Sequence, residues 1–562
     1  MKSTALFYYP CKEISSLRSL LCSAERQFSM NPLFSVFGPD GREAIPYSAF
    51  LDSVESLGTV LCSRGYQKVT AMILGENSYA WACSFFAVVC GLGKVVPADT
   101  GLDAGELEAI ARNCGVDLLI YGEKFGETAE QLCRSLEIDG INLSDFPALC
   151  AEGQQNLADG DLSFIGLEPA PGDSAVILAP SSKSKPFVLT HRDICRDLQG
   201  AASMILCDKD DRHMALLPWS SQYPLCMTLL FPMVRGGCIV IGRGMRYITR
   251  DLQECEISIL SSTTALTGEI YRKICSNIKN KGTRKEREVS AIVRLTGRST
   301  AIKRRIFCEI RDSLGGKLRF ILNCGTPDKI SAEGLFSYGI PVLQCFGLSR
   351  GLPLMTACRE DAVRAGSCGL PLPGTVIDIY DRRADGTGEI RFKRKEGTED
   401  SGTRAEEMRS GWLYTGRLGS VDRDGYLYVL GRKENAIVTQ TGVRIIPEEI
   451  ESKLTGNPYV AAAALVAFRN ENRGDTDLVA VLAPDREAMR AEYGPRYSKG
   501  QVEAELAKAV AAFNATSSAQ KQIFCFICEP CVRDADLRRP AVRAEITAQV
   551  QSRYLRRLAG IN

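Results

Sequence analysis

Three serines and two lysines are packed into one short run, Ser181-Ser182-Lys183-Ser184-Lys185-Pro186, between the apolar stretch Ser174–Leu178 and Thr190-His191. Hydroxyl and ammonium groups on a short loop suit an anion such as phosphate. No glycine occurs from Asp173 to Gln199, so the loop lacks the residues that let backbone N–H groups close around an anion. A solvated basic turn is the competing reading, and both stand open. A second concentration of charge lies between Arg272 and Lys317, where fourteen Lys or Arg meet four acids, including Lys281-Gly282-Thr283-Arg284-Lys285 and Lys303-Arg304-Arg305. Such runs read first as solvated helix faces and second as surfaces for anionic headgroups.

Other chemistries find little support. His191 and His213 are the only histidines, and lone histidines are expected to be structural. No G-x-S-x-G nucleophile elbow is present. Cys525, Cys528 and Cys531 have C-x-x-C spacing but lie in a strand-like run without a nearby histidine, so they read as core cysteines. The 22 cysteines sit in apolar runs such as WACSFFAVVC, as small buried hydrophobes in a reducing compartment. A net charge of +2 gives no pull toward nucleic acid, which is not expected as a partner. The opening MKSTALFYYPCKE is too weakly apolar for a secretory signal. Asn77–Gly93 is too short for a membrane span and Met214–Val234 carries three prolines, so a cytoplasmic protein is expected.

The elements that must position these residues alternate. A chain of 562 residues exceeds one core, so two or more domains are expected. After an amphipathic first helix and a hairpin at Gly38-Pro39-Asp40-Gly41, the pattern predicts a strand at Lys68–Leu74, a buried helix at Tyr79–Gly91, a helix at Leu102–Cys114 and a strand at Val116–Tyr121. A second such series runs from Ser174 to about Tyr380. This is the rhythm of parallel sheets covered by helices. Beyond Arg432 the pattern becomes a small α+β unit: strand Ala436–Thr439, helix Pro447–Leu454, strands to Val481, helix Gln501–Phe513 and a final strand.

The run Gly411–Arg432, GWLYTGRLGSVDRDGYLYVLGR, resembles the adenylate-forming superfamily of acyl-CoA synthetases, luciferases and peptide-synthetase adenylation domains. There the pattern is G-W-x-x-T-G-D, then D-x-D-G-[YF]-L and G-R. The likeness extends from Gly75 to the Glu529-Pro530 region and is closest to bacterial long-chain fatty acid-CoA ligases. It implies an α/β fold with a large N-terminal AMP-binding domain of layered sheets (1–431) and a mobile, small α+β C-terminal domain (432–562) that swings about Gly431-Arg432-Lys433-Glu434. ATP or AMP and CoA are the implied cofactors. A fatty acid or another acyl carboxylate, or its acyl-CoA, is the implied partner, taken from membranes through basic surface such as Arg272–Lys317.

The same resemblance implies the nucleotide site residue by residue. Ser181, Ser182, Lys183 and Lys185 stand at the family's glycine-rich phosphate loop. Cys324-Gly325-Thr326-Pro327 matches its adenine shelf. Phe346, Gly347, Ser349 and Arg350 match Y-G-x-T-E, so an arginine replaces the glutamate that carries Mg²⁺; oxygen ligands are what Mg²⁺ requires, and no metal site is expected. Arg417 replaces the aspartate that holds the ribose hydroxyls, and Arg432 keeps the second ribose contact. Arg538, within Glu529–Pro540, is the candidate for the C-terminal catalytic lysine, since no lysine follows Lys521. Trp219 follows Leu217-Pro218 where the family often has L-P-L-H-H. The expectation is a degenerate ligase-like protein with lost or strongly reduced acyl-adenylate formation that still binds an acyl group or nucleotide. The alternative is an active acyl-CoA ligase with a rebuilt, arginine-rich site.

Overall fold

The computed structural model describes residues 8–38, 41–183, 185–280, 300–325, 328–348, 354–394, 408–439, 443–470, 475–533, 537 and 540–558. Packing divides the chain into two units. The first comprises Met1–Pro327, Ala332–Val376 and Lys393–Leu413, and the second Asp328–Ser331, Ile377–Phe392 and Tyr414–Asn562.

Two sheets build the first unit. One has the order Asp139–Asn142, Leu118–Tyr121, Val69–Leu74, Gly93–Ala98, Ser174–Leu178, Phe187–Thr190, parallel except for the last pair. Every residue of Val69–Leu74 is buried, as a central parallel strand covered on both faces requires. The other sheet has nine strands. Its parallel centre runs Val342–Phe346, Phe320–Cys324, Ile259–Thr263, Arg212–Ala215, Cys238–Ile241, Pro32–Gly38, with antiparallel strands at both edges. The layered α/β architecture of the sequence reading is therefore present.

Local sequence explains how the elements begin. Ser16 and Ser19 form a reciprocal capping box before the helix Leu17–Phe28, whose Leu17, Leu20, Leu21 and Ala24 form the buried stripe. Thr190 and Asp193 do the same for His191–Met204. The expected helix from Tyr79 is α-helical only to Ala87 and continues as a π-helical turn over Val88–Leu92.

In the second unit a three-stranded sheet pairs Val460–Asn470 antiparallel with Asp475–Pro484, which pairs parallel with Ile523–Cys528. Strand alternation gives it two cores. Leu478, Ala480 and Leu482 pack with Ile450, Leu506 and Phe513, whereas Val479 and Val481 pack with Ile546, Val550 and Tyr554 on the opposite side. The last three belong to the helix Pro540–Leu558, which follows the strand expected to be final. The antiparallel strands Trp412–Val421 and Leu427–Arg432 also lie largely here. Residues 377–392 and 414–431 are grouped by packing with the chain that follows them, and Asn435 donates to Glu448 Oε1 at 2.7 Å.

Candidate functional site

The candidate residues fall into two groups, one in each unit. In the first unit, Leu178 and Phe187 face each other in an antiparallel pair, so residues 179–183 and 185–186 belong to the connection between the two strands. Ser181 and Ser182 are half-buried within it, Lys183 and Lys185 are exposed, and Asn113 Nδ2 donates to the Ser182 carbonyl at 3.2 Å. The loop thus presents two ammonium groups to solvent. Ser184 lies outside the described residues.

Three adjacent parallel strands end in a buried polar network that the sequence reading missed. Asn323 Nδ2 donates to Gln344 Oε1 at 2.6 Å, and Gln344 Nε2 donates to the Gly325 carbonyl at 2.7 Å. Thr267 Oγ1 donates to Asn323 Oδ1 at 3.2 Å and shares a 2.9 Å hydroxyl pair with Ser262. Gly325, at φ +121°, occupies a backbone region that side chains rarely adopt. Its exposed backbone is held by Gln344 from the neighbouring strand. Phe346 closes that strand in the core, and Gly347 follows half-buried. Thr326, Ser349, Arg350 and Arg538 lie outside the described residues. The signal for the network was available, since amides at the ends of otherwise apolar strands need partners when buried.

Trp219 is fully buried, donates Nε1–H to Thr228 Oγ1 at 2.9 Å and packs on Trp81. Both histidines are structural. His191 Nδ1 accepts the Leu17 N–H at 3.1 Å, and burial lowers its pKa to about 4 against an opposing pull from Asp173. His213 Nε2 lies 3.0 Å from Cys207 Sγ, and burial, then Arg319, lowers its pKa to about 3. The basic segment is only partly a solvated face. Lys303 is buried over the Phe336 ring, while Arg304 donates to the carbonyls of Arg319 and Gly339 and pairs with Glu360 at 3.1 Å. Residues 281–299, with the Lys281–Lys285 cluster, lie outside the described residues.

In the second unit, Arg417 and Arg432 are direct cross-strand partners, with Leu418 opposite Gly431 beside them. Arg417 is half-buried, and its N–H donates to Thr415 Oγ1 at 3.0 Å. Arg432 pairs with Glu434 at 2.9 Å. A carboxylate that sequence reasoning passed over sits beside them. Glu389 is 7% exposed, accepts the Gly416 N–H on Oε1 at 3.2 Å and holds Lys433 on Oε2 at 2.6 Å. It stands with Arg391 and Lys393 on the polar half of the alternating strand Gly388–Arg394, GEIRFKR, so the sequence carried no mark of its burial. This cluster brings together two arginines and a lysine, with Arg432 held by Glu434 and Lys433 by Glu389; arginine and lysine are the side chains that bind phosphate oxygens where such a ligand displaces these acids. Among the described residues, no three His, Cys, Asp or Glu side chains gather into a metal site, and no helix is long and apolar enough to cross a membrane. Cys525 and Cys528 pack into opposite cores of their sheet.

Comparison with known proteins identifies the family and the fold. A family model for AMP-binding enzymes matches residues 25–397. The chain is 24% identical over 454 residues to the long-chain-fatty-acid–CoA ligase ACSBG2 of Gallus gallus, covering 70% of this chain but only 58% of that protein. It is 24% identical over 528 residues to the long-chain-fatty-acid–CoA ligase 1 of Cavia porcellus, covering 82% and 72%. In fold it is similar to the anthranilate CoA ligase AuaEII in complex with anthranoyl-AMP, with a TM-score of 0.70 and 16% identity, covering 94% of this chain and 95% of the other. With the layered sheets and small C-terminal α+β unit in place, and with two thirds of its length matched, the chain belongs to the AMP-binding enzyme family.

Proposed function

We propose that this protein binds an acyl group or an adenine nucleotide as a ligase-like member of its family, with acyl-adenylate formation lost or strongly reduced. The observation that carries the reading is the arginine pair. At the position of the family's ribose aspartate stands Arg417, facing Arg432 in register, so cations replace an acceptor of two hydroxyl hydrogen bonds. Losing such charge-assisted bonds costs about 1.5–3 kcal/mol, and removing one preorganised transition-state contact commonly costs about 10²–10³ in rate. The substitutions at Arg350 and at the phosphate loop act on the same reaction, so their effects do not simply multiply. Adenine nucleotide and CoA are the proposed ligands, with Mg²⁺ dispensable for binding.

Exchange of pyrophosphate into ATP, measured on the purified protein with a panel of fatty acids, tests this. No exchange above background is the expected result, and robust Mg²⁺-dependent acyl-CoA synthesis would overturn it. Glu389 favours a second reading, because it sets a buried carboxylate within hydrogen-bonding distance of Gly416. Slow turnover lost in Glu389→Gln would mark a rebuilt, arginine-rich ligase site.

The reading carries three further assignments. The small domain from residue 432 moves about Gly431–Glu434, so trypsin should cut near Lys433. Basic surface within Arg272–Lys317 meets anionic membrane to collect acyl chains. The compartment is the cytoplasm.

A further inference from the structure

The strands Pro32–Gly38, Cys238–Ile241, Ile259–Thr263 and Phe320–Cys324 run parallel. Their C-terminal ends therefore share one rim of the sheet, the rim outside which ligands bind in open α/β sheets. The chain leaves that rim after Ile241 as Gly242-Arg243-Gly244 and makes one turn of 3₁₀ helix, Met245–Tyr247, before the helix Ile248–Glu254. Ile248 turns back onto the core, whereas Met245 is 53% exposed and Tyr247 47%, with Arg246 exposed between them. The turn is firmly held. The Arg243 N–H donates to Asp251 Oδ2 at 2.8 Å, its Nε to Asp251 Oδ1 at 2.6 Å and its Nη2 to Glu254 Oε2 at 2.6 Å. The same guanidinium lies 4.3 Å from the centre of the Phe37 ring and 5.5 Å from that of Tyr247.

Cations surround these two side chains. Exposed Arg42 donates to the Glu254 carbonyl at 3.0 Å, exposed Arg250 pairs with the Glu254 carboxylate, and exposed Lys273 donates to Thr249 Oγ1 at 3.5 Å. With Arg243 and Arg246 they outnumber Asp251 and Glu254, the acids in contact with them. Two exposed apolar side chains fall far short of the roughly 800 Å² a side that a stable protein interface buries. They are enough for the surface of a bilayer, where tyrosine settles at headgroup level and arginine and lysine meet lipid phosphates. We infer that Met245–Tyr247 is a membrane-seating turn: Met245 and Tyr247 enter the headgroup layer of an anionic phospholipid membrane while Arg42, Arg246, Arg250 and Lys273 face its phosphates. The inference rests on the reading that acyl chains are collected from such a membrane, and it moves the anchor away from the main basic run, where Lys303 and Arg304 are engaged within the fold. Seating here turns the strand-end rim, with Asn323 and Gly325, toward the bilayer.

The test is co-sedimentation of the full chain with vesicles of phosphatidylcholine alone and of phosphatidylcholine mixed with phosphatidylserine. Binding to the mixed vesicles, weakening as salt rises, is the expected result. Met245→Ser with Tyr247→Ser should weaken it at least about tenfold through the apolar area withdrawn from the membrane. Arg246→Gln should weaken it about fivefold, the contribution of one cation close to an anionic surface. Tyr247→Trp should bind as the wild type does and show quenching by brominated lipid beyond the wild-type level, which charge attraction without insertion would not give. Undiminished binding by the double serine variant, with binding lost in Arg305→Glu with Lys317→Glu, overturns this inference and leaves the reading of a basic-segment contact standing. Failure of the wild type to bind either vesicle overturns both and leaves the turn to a protein partner.

Discussion

Arg417 and Arg432 face each other in register across the antiparallel strands Trp412–Val421 and Leu427–Arg432. With an aspartate at 417 the same geometry would make an opposite-charge pair, and with arginine it makes a like-charge one. Cross-strand pairs contribute about 0.2–1 kcal/mol with the sign set by charge. Arg417→Asp should therefore raise the unfolding free energy by up to about 1 kcal/mol in low salt, with the gain shrinking as salt screens it. Urea titrations at two ionic strengths check this, and a destabilised variant would contradict it.

Gly431 should tolerate no side chain. A Cβ there would lie 2.4 Å from Glu448 Oε2 and 2.6 Å from Ile446 Cγ2, where the chain enters the helix Pro447–Thr455. Overpacking of this kind costs about 1–3 kcal/mol, so Gly431→Ala should lower the melting temperature. An unchanged melting curve would show that Glu448 swings away at no cost.

The second unit contains a buried ion pair whose rupture should be severe. Arg543 forks onto both oxygens of Glu451 at 2.6 and 2.8 Å, Glu451 also accepts the Leu465 N–H at 2.7 Å, and Arg543 Nε donates to the Leu537 carbonyl at 2.7 Å. Removing one member of such a pair strands the other, at a cost of about 3–5 kcal/mol. Arg543→Met should show this loss in denaturant unfolding, and Arg543→Met with Glu451→Leu should recover much of it. If the double variant is no more stable than the single one, uncompensated charge is not the source of the cost.

Acid should destabilise the fold through its two histidines. Burial holds the folded pKa of His191 at about 4 and of His213 at about 3, below the ordinary 6.5. Below that ordinary value the unfolded chain takes up protons that the native protein refuses. The stability these groups contribute is complete above pH 6.5 and is lost as pH falls toward the folded values, at about 1.4 kcal/mol per pH unit for each histidine. Unfolding free energies at pH 7, 6 and 5 should trace this slope, and His213→Gln should flatten it. An identical slope in wild type and variant would exclude His213 as a contributor.

How legible the molecule was follows from the range of each interaction. Val69–Leu74 and the helix at Pro447 announce themselves because an apolar run, and a proline followed by acids at the start of a helix, are local signals. The polar network at the strand ends does not, since Ser262, Asn323 and Gln344 meet only when the strands are ordered side by side. Arg304 and Lys303 looked like solvated charge because a basic run carries no mark of the carbonyls and the ring that receive it. The helix Pro540–Leu558 was legible in the spacing of Ile546, Val550 and Tyr554, four residues apart, but it followed a segment read only for a lysine. At the site, the identity of Arg417 was plain in the sequence, whereas its partner across the sheet and the carboxylate at Glu389 were fixed by strand register.

The opposite-facing cysteines of Ile523–Cys528 have a practical consequence. Among the described residues this strand pairs on one side only, and three residues of extended chain separate Cys525 from Cys528 by about 10 Å at their Cα atoms. A disulfide needs Cα atoms within roughly 7 Å, so the two sulfurs cannot join while the strand stays in its sheet. An intrachain crosslink between them, read by mass spectrometry after mild oxidation, would be a permanent record that this edge had peeled away, and its rate of accumulation would time how often it does so.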